Sequence, residues 1–122
     1  MKIRIKGNSI RIRLSKPEVE KFMKSGDLEE RTCFGNNILT YALQCINHGD
    51  SLTADFDGNK ITVFVPATII ENWDANNTVG FEANLQVTDK ESLHILLEKD
   101  FKCTDAATED QADNYEHPHK TC

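Results

Sequence analysis

Residues 2–14 read KIRIKGNSIRIRL, and the prediction of the fold starts from their pattern. An apolar residue alternates with a charged or polar one on both sides of Gly7-Asn8. Alternation with a period of two is typical of a half-buried strand, and glycine at the first of two loop positions favours a tight hairpin turn. We therefore predict an antiparallel hairpin in which residues whose numbers sum to 15 face each other.

A shift of 51 residues aligns this stretch with a second one, TADFDGNKITVFV at residues 53–65. The alignment places Gly7-Asn8 on Gly58-Asn59 and keeps the phase of the apolar positions. Self-similarity at one fixed offset is the signature of an internal repeat. We expect two hairpin–helix–hairpin units, residues 1–46 and 51–101, related by a pseudo-two-fold axis.

Each unit is predicted to contain one short helix. Ser15 followed by Glu18 is a capping-box sequence, and Gly26 supplies a stop signal for the first helix. The second helix is predicted at residues 66–73. Together these patterns predict an α+β fold of mostly antiparallel strands, with two short helices, whose sheets close into a barrel or a sandwich.

Residues 1–101 are expected to form a single β-rich domain, and residues 102–122 an acidic C-terminal tail. The apolar periodicity stops at Lys102, and residues 104–111 are polar and acidic. Segments of this composition bury too little apolar surface to offset the entropy of ordering.

Composition excludes several classes of function. The 122 residues carry a formal net charge of −6, which argues against nucleic-acid binding and against adsorption to an anionic membrane surface. No run of residues approaches the length of a membrane-spanning helix, and residues 1–6 lack the apolar core of a signal peptide. We therefore expect a cytoplasmic protein with reduced thiols.

The first hairpin carries a candidate anion site. The predicted register sets Arg4 opposite Arg11 and Lys2 opposite Arg13, and like charges directly opposite each other destabilise a sheet. Guanidinium groups suit phosphate or carboxylate ligands, so Arg4, Arg11 and Arg13 are the predicted anion-binding residues.

Two other interpretations of these charges remain open. Asp55 and Asp57 occupy the matching positions of the second half, so an acidic face there would neutralise the basic face of the first. The other interpretation is a solvated strand face, which is the usual role of a run of charges.

Cys103, His117, His119 and Cys122 form a candidate zinc set near the C-terminus. The cysteine and histidine spacings lack the short separations that preorganise a zinc site. A disulfide between Cys103 and Cys122, or no engagement at all, are the alternatives.

A second hairpin is predicted at residues 28–34 and 38–46, turning at residues 35–37. In that register Cys33 faces Thr40, so Cys33 and Cys45 are out of register and are interpreted as core thiols.

The last two strands carry a possible acid–base cluster of His94, Glu82, Glu98 and Asp100. No nucleophile or cofactor motif accompanies it, and a polar outer face of the sheet explains these residues better.

Several segments of the chain resemble a family of short bacterial proteins that is known only as a domain of unknown function. The resemblance is carried by residues 1–11, Leu14-Ser15, Phe34-Gly35, residues 39–43, residues 64–66, residues 98–103 and residues 113–115. It implies a free-standing bacterial cytosolic protein, and it implies no activity, cofactor or catalytic residue.

The function expected from the sequence is that of a non-catalytic binding or accessory module with a protein partner. One alternative is a small-anion or phosphate-binding protein or enzyme that uses the N-terminal arginines. The other is a metal-binding protein that uses the Cys/His tail. The sequence leaves the oligomeric state open.

Overall fold

The computed structural model describes residues 1–101, which form eight β-strands and one α-helix. The helix, α1, spans Lys16–Ser25. The strands are β1 (Lys2–Ile5), β2 (Ser9–Leu14), β3 (Asp27–Cys33), β4 (Ile38–Ile46), β5 (Thr53–Asp57), β6 (Lys60–Pro66), β7 (Gly80–Gln86) and β8 (Ser92–Lys99).

The strands form two four-stranded sheets. Sheet A has the order β1-β2-β8-β7, and sheet B has the order β3-β4-β6-β5. Each sheet consists of two antiparallel hairpins joined through a central parallel pair, β2 with β8 and β4 with β6. The predicted α+β class is confirmed, whereas the parallel pairs are an addition to the antiparallel scheme expected from sequence. They arise because each sheet joins a hairpin from the first half of the chain to one from the second.

Three of the hairpins turn on a Gly-Asn pair. Lys2 pairs with Arg13 and Arg4 with Arg11, which is the register predicted for the first hairpin. The predicted turn of the second hairpin is wrong by one residue, because the Phe34 N–H donates to the Asn37 carbonyl and closes the loop around Gly35-Asn36.

Apolar side chains from the inner faces of both sheets meet in one core. Trp73 is fully buried there, and its indole N–H donates to the Thr78 carbonyl at 2.9 Å. Burial of so many aliphatic side chains is the main force holding the sheets together. The buried members are Ile10, Ile12, Leu14, Val19, Phe22, Leu28, Leu43, Leu52, Ile61, Val63, Val65, Ile70, Trp73, Ile95 and Leu97.

The first predicted helix is confirmed with its boundaries. Ser15 and Glu18 form the capping box, and Gly26 ends the helix in the left-handed conformation with φ +80°. Val19 and Phe22 form its buried stripe. Helix α1 has 10 residues, and within residues 1–101 no helix is long and apolar enough to cross a membrane.

The second predicted helix is wrong. Strand β6 continues through Pro66, and only one 3-10 turn follows, at Ala67–Ile69. Thr68, Ile69 and Ile70 are consecutive β-branched residues, which lowers helix propensity. Asn72 then adopts a φ of +58°, which ends any right-handed helix. The expected symmetry of helices between the two halves is therefore not observed.

Candidate ligand-binding face

The outer surface of sheet A carries four basic side chains, which we call the basic face: Lys2, Arg4, Arg11 and Arg13. Alternation along β2 turns Ile10 and its apolar neighbours inward and the arginines outward. Lys2 and Arg4 reach the same surface from the edge strand β1. The basic face lines an open depression of about 350 Å³.

Glu98 lies beside two of these cations. The parallel register of β2 and β8 sets Arg13 opposite Glu98. The Arg13 Nε donates to Glu98 Oε1 at 2.7 Å, and the Arg11 Nε lies 3.3 Å from the same oxygen. Charge-assisted bonds of this kind are stronger than neutral ones. One carboxylate therefore partly offsets the repulsion between two guanidinium groups.

Asp100 compensates a third cation. Its carboxylate lies 2.8 Å from the Lys2 Nζ, and its backbone N–H donates to the Leu14 carbonyl at 2.8 Å. Within residues 1–101, Arg4 has no carboxylate at ion-pair distance. In the described part of the chain, four cations thus meet two carboxylates.

The carboxylates that compensate the basic face differ from those suggested by the internal alignment. Asp55 and Asp57 belong to β5 in sheet B, so the idea that they face the arginines is wrong. Glu98 is separated from Arg13 by 85 residues of sequence. No local pattern specifies which hairpins pair in parallel, so its role could not be read from sequence.

Gly80 makes room for Glu98 on the neighbouring strand. The two residues pair across β7 and β8. A Cβ atom at Gly80 would lie 2.3 Å from the Leu97 carbonyl oxygen and 2.7 Å from the Cβ of Glu98. Both distances are far inside van der Waals contact, so any side chain at this position would displace the strand that holds Glu98.

The possible acid–base cluster separates into two parts. His94 Nε2 lies 3.1 Å from Glu82 Oε2 on the exposed surface of sheet A. Glu98 and Asp100 instead contact the cations of the basic face. The four side chains therefore do not form one acid–base cluster.

A second charged cluster, not anticipated from sequence, surrounds the Met1 ammonium group. It contacts Glu18 of α1 and lies 2.7 Å from the Glu30 carboxylate of β3. Burial opposes charge on the ammonium, but the hydrogen bonds to Glu18 and Glu30 outweigh it and raise its pKa. This cluster connects the edges of sheets A and B.

The surroundings of this cluster also shift the pKa values of Glu18 and Tyr41. Burial alone would raise the pKa of Glu18, yet its hydrogen bonds with the ammonium and with Ser15 lower it. For Tyr41, burial together with the nearby charges of Glu30 and Glu18 raises the pKa of the phenol. At neutral pH these shifts favour the charged forms of the Met1 ammonium and of Glu18, and the neutral form of Tyr41.

The predicted zinc residues Cys103, His117, His119 and Cys122 lie outside the described residues. Within residues 1–101, no three histidine, cysteine, aspartate or glutamate side chains are grouped as metal ligands would be.

The interpretation of Cys33 and Cys45 as core thiols is wrong for Cys33, whereas Cys45 packs against the core. Cys33 is exposed and pairs with Ile38, because the turn before β4 is tighter than predicted. Cys45 is half-buried, and the two thiols are not bonded to each other.

Comparison with known proteins identifies a family to which the chain is similar. Residues 1–119 match the model of a family described as "Family of unknown function (DUF7009)". No curated protein and no solved structure shows significant similarity to the chain. The match includes the basic face, its two carboxylates and most of the segment that follows them. The chain therefore belongs to this family of unknown function.

Proposed function

We propose that the protein is a non-catalytic binding module and that its basic face receives an acidic ligand. The observation that carries this proposal is the excess of cations on that face: within residues 1–101, Lys2 and three arginines are offset by Glu98 and Asp100 alone. Arg4 and Arg11 face each other across β1 and β2. An anion seated between them would relieve their repulsion.

The chemistry of the side chains supports binding rather than proton transfer. A guanidinium group stays charged at all physiological pH values, so it donates hydrogen bonds but does not act as a general acid or base. Its planar donor array matches a carboxylate or a phosphate. The ligand class is therefore an anion with two acceptor oxygens.

The shape of the surface favours an extended ligand. Sites for small molecules are usually concave and bury most of the ligand, whereas this depression lies open on the outer face of a sheet. An acidic segment of a partner protein would place successive carboxylates along β1 and β2. A phosphate-bearing small molecule is the alternative that the same experiment separates.

The test is a titration with a hexa-aspartate peptide and, in parallel, with pyrophosphate at low ionic strength. We expect the double variant Arg4→Gln/Arg11→Gln to weaken peptide binding by about tenfold, because the two lost ion pairs on this exposed face are together worth about 1.5 kcal/mol. The control is Lys21→Gln/Lys90→Gln, which removes the same charge from exposed positions elsewhere.

Equal losses of peptide affinity in the two double variants would overturn the proposal. So would a failure of the unaltered chain to bind either the peptide or pyrophosphate. Tight binding of pyrophosphate with no binding of the peptide would identify a small anion as the ligand instead.

We also infer that the two halves of the domain arose by duplication. The registers of β1–β2 and β5–β6 support this, because adding 51 to Lys2 and to Arg13 gives the observed pair Thr53 and Phe64. A single rotation near 180° that superposes both pairs of matching hairpins at once is the geometric test.

The cytoplasm is the proposed location. Support comes from Cys33 and Cys45, which are not bonded to each other; an oxidising compartment favours disulfides. Alkylation of intact cells, followed by mass spectrometry of the protein, would show whether its thiols are reduced where it resides.

A further inference from the structure

The part of the chain that the structure describes ends beside the basic face. Strand β8 finishes at Lys99, and the next residue, Asp100, is fixed by its backbone bond to Leu14 and by its ion pair with Lys2. The residues that follow therefore begin at the margin of the surface that carries the unpaired positive charge.

Those following residues are rich in acids. Asp105, Glu109, Asp110, Asp113 and Glu116 lie in a segment that contains no lysine or arginine between residues 103 and 119. The family match extends to residue 119 and so includes this segment.

The reach of the segment is sufficient. An extended chain spans about 3.3 Å per residue, while Lys2 and Arg4 are two positions apart on one strand and Arg11 lies on the adjacent strand about 5 Å away. Four or five residues beyond Phe101 can thus cover the basic face. A short tether also gives an effective concentration in the millimolar range, so weak ion pairs are enough for association.

We infer that residues 105–116 dock on the basic face and compete there with the acidic ligand. This inference rests on the proposed function, since it assigns to the ligand-binding face an occupant from the same chain. The tail supplies carboxylates where Arg4 has no partner within residues 1–101, and a partner's acidic segment has to displace it. The tail would then set the threshold for binding.

The experiment compares the full chain with a variant whose tail is neutralised: D105N, E109Q, D110N, D113N and E116Q. Two-dimensional ¹H–¹⁵N spectra are recorded in 20 mM and in 500 mM NaCl. We expect the neutral tail to shift the amide signals of Lys2, Arg4, Arg11 and Arg13 at low salt only, because high salt screens exposed ion pairs. The control variant T104S, T108S, Q111N, N114Q alters the tail without changing its charge, and its amide signals for Lys2, Arg4, Arg11 and Arg13 should match those of the unaltered chain.

Binding is measured on the same samples. The neutral-tail variant should bind hexa-aspartate about three- to tenfold more tightly at low salt, and the gain should disappear when Arg4→Gln/Arg11→Gln is added. Amide shifts that are absent, lie elsewhere, or grow with protein concentration would overturn docking within one chain. Because the spectra need no ligand, docking is judged even if hexa-aspartate fails to bind, which would count only against the proposed function.

Discussion

Sheets A and B have the same plan, but their outer faces carry different charge patterns. Both are two hairpins joined through a central parallel pair. In the β1–β2 hairpin of sheet A, cation faces cation at both outward pairs, Lys2–Arg13 and Arg4–Arg11. The matching hairpin of sheet B opposes no like charges; its outward pairs are Thr53–Phe64, Asp55–Thr62 and Asp57–Lys60.

This difference shows that the fold does not require the basic face. Sheet B is built on the same hairpin geometry while placing a lysine opposite an aspartate, and Lys60 also lies 3.0 Å from Glu29 across its sheet. Opposed like charges cost stability. Their presence on sheet A alone therefore supports a role in binding rather than in folding.

The largest expected effect comes from substitution of Gly80, which lets β7 lie close to β8 in sheet A. Gly80→Ala should destabilise the protein by about 2 to 3 kcal/mol, because the added Cβ overlaps the Leu97 carbonyl and Glu98. Asp27→Ala, at the first position of β3 in sheet B, is the control and should change stability by less than about 0.5 kcal/mol. Urea unfolding of both variants measures the difference; equal effects would contradict the close approach at Gly80.

The next largest effect comes from neutralising Glu98, the carboxylate that Arg11 and Arg13 share. Glu98→Gln should cost about 1.5 kcal/mol, because Arg11 and Arg13 keep a neutral acceptor but lose their counter-charge. Glu82→Gln, which alters an exposed carboxylate on β7, should have little effect. The loss at Glu98 should also shrink when pyrophosphate is added, if an anion can replace the carboxylate. Thermal unfolding with and without pyrophosphate provides the measurement.

The cluster that connects the edges of the two sheets predicts a pH dependence. Glu18→Gln should cost about 0.5 to 1 kcal/mol at neutral pH, since the partly buried ion pair with the Met1 ammonium is lost while the capping bond from Ser15 can remain.

The direction in which pH changes the stability contributed by this ion pair follows from the pKa shifts. The pKa of Glu18 is lowered, so its contribution is present at neutral pH and is lost as the pH falls through the lowered value. The pKa of the ammonium is raised, so its contribution is lost as the pH rises through the raised value. The difference in Tm between the parent and Glu18→Gln should therefore narrow at both extremes. Glu20→Gln, on the exposed side of α1, should show no such narrowing.

The smallest expected effects come from two substitutions that exchange the charge patterns of the two sheets. Arg4→Gln should stabilise the protein by a few tenths of a kcal/mol, because it relieves the repulsion from Arg11. Thr62→Asp in sheet B should destabilise it by about the same amount, since the new carboxylate faces Asp55. Both effects should diminish in 500 mM NaCl, and denaturation curves at two salt concentrations test them. Stabilisation that is unchanged by salt would point to packing instead of charge.

The features that could be predicted from the sequence alone are those that depend on short-range interactions. The alternating apolar residues and the Gly-Asn turn determined the first hairpin with its register, and so placed Arg4 opposite Arg11. Ser15, Glu18 and Gly26 determined the ends of α1 through contacts within one helical turn. Where the local signals were weak, as in the β-branched run after Pro66, apolar positions alone predicted a helix that is absent.

The choice of which hairpins share a sheet depends on tertiary packing and could not be predicted from the sequence. The parallel pairing of β2 with β8 joins residues 85 apart in sequence, as Arg13 and Glu98 show, and that choice depends on how all the apolar faces are buried together. The same pairing brings Glu98 and Asp100, rather than Asp55 and Asp57, to the arginines. The sequence determined that a row of cations would form, because a strand's own alternation sets its faces. The carboxylates that contact these cations depend on long-range packing, which no local pattern specifies.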